Sequence, residues 1–135
     1  MKRLKLTLAA AALTTSVHGA SAQTASEFRA QVAANAIESL CSGKEMNLLG
    51  QFIRKRTEGA SRDEVLVQID NFVTEQHQPP ELARLHVMML DQAYSGPKLG
   101  AKDFQGETVS PRAQALFAKA HMQCIQYMNV FNSDQ

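Results

Sequence analysis

Residues 61 to 73 read SRDEVLVQIDNFV and combine a helix start with a helical apolar face. Ser61 offers a hydroxyl at the N-cap position, and Glu64 offers a carboxylate three residues later, which is the pairing of a capping box. The apolar positions that follow recur at helical spacing and form the expected buried face: Val65, Leu66, Ile69, Phe72 and Val73. This stretch therefore predicts an amphipathic helix with a defined first residue.

Two more helices are expected on the N-terminal side of this stretch. Thr24 and Glu27 have the spacing of a second capping box, and apolar residues follow at steps of four until Cys41. Ser42-Gly43 is expected to interrupt that helix, after which a second apolar face runs to about residue 58. Gly59 then supplies a left-handed C-terminal cap, which residues with a β-carbon resist.

Two helices are also expected on the C-terminal side. The helix of residues 61–73 stops before the run His77-Gln78-Pro79-Pro80, and Pro80 can open the next helix as far as Tyr94. Residues 96–109 have no helical or strand period and form one long loop. Ser110-Pro111 then caps and opens a last helix that extends to Phe131. With no alternating strand-like run of any length, the fold class is all-α, a small bundle of about five helices.

The chain has two cysteines, Cys41 and Cys124, and they are predicted to form a disulfide. Such a bond would join the first and last helices and close a loop of about 84 residues. A redox or metal-binding role would favour two cysteines close together, as in Cys-x-x-Cys, and no such pair is present. The disulfide is therefore interpreted as structural.

The N-terminus has the three zones of a cleavable export signal. Lys2, Arg3 and Lys5 precede an uncharged segment rich in leucine and alanine, and Ala20-Ser21-Ala22 follows with small residues where signal peptidase requires them. We expect cleavage between Ala22 and Gln23. Residues 1–22 are then the signal peptide, and residues 23–135 form a single helical domain in the periplasm or in the medium outside the cell.

Charge and hydropathy narrow the range of partners. After removal of residues 1–22, the chain has 11 basic and 13 acidic side chains, so its net charge is close to zero. Nucleic acids and anionic membranes attract basic proteins, so neither is expected as a partner. No later segment approaches the roughly 20 apolar residues that a membrane-spanning helix needs. We therefore expect no membrane association after signal cleavage.

The residues that we expect to contact a partner fall in a basic turn and in the long loop. The basic turn, Arg54 to Arg62, is the one cluster of positive charge outside residues 1–22. It could bind an acidic partner or a phosphate. The alternative interpretation is a solvated helix end whose positive charge suits the helix dipole. The candidate partner surface comprises Arg54, Lys55, Arg56 and Arg62 of the basic turn, with Lys98, Lys102, Asp103 and Phe104 of the loop.

Catalytic and metal-binding interpretations have less support in the residues. His86 and Met89 share a helix face and could bind monovalent copper, although methionines on apolar faces are ordinarily packing residues. The acidic residues are spread over helix starts and polar faces, with no nucleophile–base motif among them. We therefore expect a non-enzymatic protein without a cofactor, and a copper or small-molecule carrier is one alternative.

The run RTEGASRDE at residues 56–64, Ala93-Tyr94 at a helix end and the segment from Phe117 to Cys124 resemble small uncharacterised periplasmic proteins of Gram-negative bacteria. The expected fold is also similar to that of helical, disulfide-bonded immunity proteins, which neutralise toxins injected into the periplasm. These resemblances imply an exported module that binds another protein, and an immunity protein is the second alternative.

Overall fold

The computed structural model describes residues 24–133, and the elements below belong to that part of the chain. Five α-helical segments are present there: α1, Ala25–Ser39; α2, Glu45–Thr57; α3, Arg62–Glu75; α4, Pro80–Ser95; and α5, Pro111–Ser133. A π-helical turn, Leu40–Lys44, joins α1 to α2, and a 3₁₀ turn, Ala101–Asp103, lies between α4 and α5. No strand occurs between residues 24 and 133, so the predicted all-α class is confirmed.

The chain divides into two units, Met1–Asn35 and Ala36–Gln135. In the first unit the structure describes the start of α1, where Thr24 and Glu27 form the predicted capping box. Phe28 and Val32 lie on this segment and are mostly exposed. The expected signal peptide and its cleavage site lie outside the described residues. Across residues 24–133, no helix has the length and apolarity needed to cross a membrane.

The predicted break at Ser42-Gly43 is wrong. Because the first two α-helical segments join there, the described residues form four helices and not about five. The backbone stays in the right-handed helical region at Ser39 and at Glu45, so α1, the π turn and α2 form one continuous helix. A glycine inside a helix costs only about 1 kcal/mol relative to alanine. Complete burial of Cys41 in this turn outweighs that cost, because it fixes the turn against the core.

The helix ends follow their sequence signals closely. Ser61 accepts from the Glu64 amide and its own amide donates to the Glu64 carboxylate, which confirms the capping box of α3. Gly59 has a φ of 96°, the left-handed conformation expected after α2. Pro80 occupies the first turn of α4, and the Ser110 hydroxyl accepts from the Ala113 amide at the start of α5. Only a few residue types satisfy the backbone geometry and hydrogen bonding at these helix ends, so the sequence predicts them well.

The core of the second unit lies between α2 and α4, which pack against each other along their lengths. Helix α5 contacts both of them and the π turn, and α3 packs on α4. The predicted disulfide between Cys41 and Cys124 is confirmed, with a Cα–Cα distance of 5.6 Å and both residues completely buried. The largest fully buried apolar side chains are Leu49, Val65, Leu85, Met89, Leu90 and Leu99.

Helix α3 contributes less to the core than its periodicity predicts. Val65 and Ile69 are buried as expected, but Phe72 is 48% exposed to solvent. Helix α3 packs on α4 and only slightly on α2, so its contact face is narrow. Phe72 therefore falls outside the face that α4 covers.

One polar pair lies inside the core. Glu45, at the start of α2, is 1% exposed, and its two carboxylate oxygens lie 3.1 and 3.3 Å from Nδ1 of His86 on α4. Nε2 of His86 lies 2.9 Å from the side-chain oxygen of Gln78, in the turn before α4. The imidazole therefore links α2, α4 and the α3–α4 turn through both of its nitrogens.

Candidate binding groove

A groove of about 1090 Å³ runs between α2 and the loop that follows α4. The α2 side is mixed: Met46, Gly50 and Ile53 lie among polar residues that include Asn47 and Gln51. Leu99 and Phe104 of the loop form the other side, together with Phe117 of α5. The rings of Phe104 and Phe117 meet edge to face, with their centroids 6.5 Å apart. The groove exposes more apolar than polar surface and is partly open to solvent.

Small residues leave room in this groove. Gly50 lies in the middle of α2, and a β-carbon built there would have no neighbour within 4 Å; the same holds for Gly100 in the loop. Gly50 has ordinary helical backbone geometry, and alanine would stabilise a helix interior by about 1 kcal/mol relative to glycine. Neither backbone conformation nor internal packing therefore requires glycine at position 50. Open space in the groove is what this residue provides.

The loop wall of the groove is held in place at two points. Leu99 is 2% exposed, and the Thr57 hydroxyl at the end of α2 lies 2.9 Å from the Leu99 carbonyl oxygen. Asp103 is also buried, and its carboxylate accepts from the Gly100 amide, the Ser110 hydroxyl and the Arg112 guanidinium at 2.7–2.8 Å. The loop of residues 96–109 is thus built into the fold at Leu99 and Asp103.

The surroundings of Asp103 favour its charged form. Hydrogen bonds from Arg112 make the largest contribution, the Gly100 amide adds to it, and together they hold the pKa of Asp103 well below its usual range. The carboxylate therefore lies in the protein as an anion that closes the loop onto the start of α5. Its role in the predicted partner surface would be to shape that surface from within.

Asp103 should make the stability of the protein depend on acid. Its pKa is lower in the folded state than in the unfolded chain, where it is about 3.9, so its contribution is present above that pH. That contribution is lost as the pH falls below about 4 towards the folded-state pKa. We expect Asp103→Asn to lower the melting temperature by several degrees at pH 7, and the gap to the wild type to narrow by pH 3.

Thermal unfolding followed by circular dichroism at both pH values measures this gap. Other carboxylates titrate equally in the two proteins, so the difference isolates Asp103. Asp70→Asn is the matched control, because Asp70 is an exposed carboxylate in the middle of α3 that forms no ion pair within residues 24–133, and the change should alter the melting temperature little at either pH. A gap of equal size at pH 7 and pH 3 would show that the Asp103 charge does not stabilise the loop.

Two members of the basic turn serve inside the fold. The Arg56 guanidinium donates to the carbonyl oxygens of Ala93 and Gly96 at 2.7 and 2.9 Å and lies over the Tyr94 ring. It therefore caps the end of α4. Arg62 donates to the Asp91 carboxylate at 2.7 Å, and this hydrogen bond raises the pKa of Arg62. The charges of these two side chains are already paired with groups of the protein.

The other four basic residues of the predicted surface are available to contact a partner. Arg54 and Lys55 line the groove, whereas Lys98 and Lys102 are exposed next to the lining residues Leu99 and Ala101. None of the four forms an ion pair with any residue between 24 and 133. Glu58 is the one acidic residue among the described residues that line the groove. The lining of the groove thus carries two unpaired cations, both on the α2 side, and one acidic side chain.

The alternative carrier site is not assembled in the way the sequence suggested. His86 was a candidate copper ligand with Met89, but both of its ring nitrogens have protein partners and Met89 is buried in the core. A second hollow of about 440 Å³ on α4 and α5 is lined by Ala83, Val87, Met88 and Tyr127 with Arg84 at its edge. Within residues 24–133 no three His, Cys, Asp or Glu side chains lie close enough together to hold a metal ion.

Three residues of the predicted partner surface, Arg54, Lys55 and Phe104, line the groove. The prediction did not include Gly50 or Phe117. The signal for Gly50 was a glycine inside a helical period, which indicates a close approach or an open surface. Phe117 fits the apolar face of α5, and the neighbouring loop makes it a groove residue. Comparisons with protein-family models, curated proteins and solved structures gave no match. The groove is therefore interpreted from its own geometry.

Proposed function

We propose that this protein is a non-enzymatic binding module, and that the groove along α2 holds a segment of another protein. The observation that carries the proposal is Gly50, a helix-interior glycine above which the groove stays open. The partly exposed apolar side chains of the lining, Met46, Phe104 and Phe117, would contribute to binding, because their burial removes apolar surface from water. The unpaired cations on the α2 side would fix orientation and increase the rate of association.

An open groove suits a protein segment better than a small carried molecule. Sites for small molecules ordinarily surround 70–90% of the ligand's surface within about 300–1000 Å³. Here one long side faces solvent, so a compact ligand would keep much of its surface in water. A segment that remains attached to a larger partner can bury one face in the groove and leave the other exposed.

We place this activity in the periplasm of a Gram-negative cell. The support is the basic, apolar and small-residue zones of residues 1–22, together with a disulfide, which persists in oxidising compartments. A toxin bound in the groove would make the protein an immunity protein. A host protein bound there would make it an accessory subunit.

The test is affinity capture with three forms of the exported, oxidised protein: wild type, Gly50→Ala and Gly50→Trp. The alanine variant adds one methyl group in open space and should keep the partner. The tryptophan variant fills the groove and should lower capture at least tenfold, while circular dichroism and the disulfide remain unchanged. Periplasmic extract and culture supernatant serve as sources, with mass spectrometry to identify bound species.

Only a protein that binds the wild type and the alanine variant, and is lost from the tryptophan variant, supports the proposal. A partner that binds all three forms would show that the groove is not its site. Recovery of a metal or small molecule in place of a protein would exclude the protein-binding function and favour a carrier.

A further inference from the structure

We propose that the segment held in the groove is an acidic amphipathic α-helix of about three turns. This inference rests on the proposed function and adds the conformation and charge of the occupant. The wall formed by α2 determines the dimensions. Met46, Gly50, Ile53 and Thr57 follow one another at steps of three and four along one helix face, and all of them line the groove. At 1.5 Å per residue, these positions span about 17 Å.

The backbone chemistry of the groove favours a helix over an extended segment. An extended peptide ordinarily binds by adding a strand to a sheet edge, which satisfies its own N–H and C=O groups. The described part of the chain contains no strand, and α2 uses its backbone groups within the helix. An extended occupant would therefore find no strand edge with which to pair its backbone groups. A helix satisfies those groups internally and presents only side chains.

Gly50 marks where the two helices would approach most closely. Packed helices lie about 8–10 Å apart, and small residues at the crossing permit the shorter distances. With Met46 one turn before it and Ile53 one turn after it, Gly50 forms a notch between two apolar side chains. An occupant with apolar residues at i, i+3 or i+4, and i+7 would place the middle one over this notch.

The charge of the occupant follows from the groove edges. Arg54 and Lys55 line the groove near the end of α2, and Lys98 and Lys102 are exposed next to the lining residues Leu99 and Ala101. All four lack ion-pair partners within residues 24–133, and Glu58 is the single acid among the described lining residues. Aspartate and glutamate on the flank of the bound helix that faces Arg54 and Lys55 would meet opposite charge. Lysine or arginine there would be repelled.

Selection from an unbiased phage library of random linear peptides, about 16 residues long, tests conformation and charge together. The bait is the oxidised wild-type protein, and the Gly50→Trp variant removes peptides that bind outside the groove. We expect the remaining sequences to share apolar residues at helical spacing and a net negative charge. Strand-like alternation, net positive charge or no groove-dependent sequence would each overturn the inference.

The best selected peptide then tests the edge charges by fluorescence anisotropy. Arg54→Glu with Lys55→Glu should weaken its binding about tenfold, because two attractions become repulsions, and should reduce its salt dependence. Arg84→Glu is the matched control, since Arg84 is an exposed cation outside the groove and should leave the affinity unchanged. Equal losses in both variants would overturn the assignment of charge.

Failure of this inference can be separated from failure of the proposed function. If a partner captured from the periplasm is lost with Gly50→Trp but its binding segment is not an acidic helix, the groove remains a protein-binding site and only its occupant is misassigned. If no captured protein depends on Gly50, the proposed function itself fails.

Discussion

Removal of the Cys41–Cys124 disulfide is expected to lower the free energy of unfolding by about 4–5 kcal/mol. The bond joins residues that are 83 positions apart, so it restricts most of the unfolded chain and adds little constraint to a folded core in which both cysteines are already buried. Small domains have a total stability of about 5–15 kcal/mol. A domain near the lower end of that range would be close to unfolding once the bond is reduced.

Urea denaturation followed by circular dichroism measures this loss. The wild-type protein is compared with and without a phosphine reductant, and with the variant that carries Cys41→Ala and Cys124→Ala. The reductant should lower the midpoint of the wild type and leave that of the double variant unchanged, which controls for effects of the reductant itself. If reduction left the midpoint within error, the loop-closure argument would fail for this chain.

A protein that loses this much stability on reduction is more stable in an oxidising compartment than in a reducing cytoplasm. The disulfide and the expected signal at residues 1–22 therefore support the same proposal about location, from independent parts of the sequence.

The helix boundaries could be predicted from the sequence because each depends on a few neighbouring residues. Ser61 with Glu64, Gly59, Pro80 and Ser110 satisfy local requirements of backbone geometry and hydrogen bonding, and all occur where they were expected. The disulfide could be predicted for a different reason. Two cysteines in a chain expected to be exported leave one intramolecular pairing.

The predictions that failed depended on contacts between distant residues. Ser42-Gly43 resembles a helix break, but burial of the neighbouring Cys41 against α5 keeps the chain helical. Phe72 fits the period of α3, yet the width of the face that α4 covers decides its exposure. Local propensity is weak compared with such packing, so it could indicate neither result.

The candidate partner surface was only partly predictable, because it too depends on contacts between distant residues. Unpaired charge at Arg54 and Lys55 follows from their place on the polar side of a helix end. Whether Arg56 and Asp103 face outward depends on partners elsewhere, such as the Ala93 carbonyl and the Arg112 guanidinium, 37 and 9 residues away. A charged residue in a sequence carries no signal of its partner unless both lie within one helical turn.

The largest effect of a single substitution is expected at His86, which faces Glu45 in the core. His86→Leu would leave the Glu45 carboxylate 1% exposed and without its imidazole partner. Removing one member leaves the other buried polar group without its hydrogen-bond partner, which costs about 1–3 kcal/mol. Replacing both members with apolar residues of similar volume is often nearly neutral. We therefore expect the variant with Glu45→Leu and His86→Leu to be more stable than His86→Leu alone.

Urea denaturation of the wild type, the two single variants and the double variant completes a thermodynamic cycle. Gln78 loses a hydrogen-bond partner in both variants that lack His86, so its contribution cancels when those two are compared. A positive recovery of stability on adding Glu45→Leu to His86→Leu would show that the penalty comes from the buried Glu45 side chain left without its partner. If the two substitutions were simply additive, each side chain would act through its own packing, and the link between α2 and α4 would be apolar in origin.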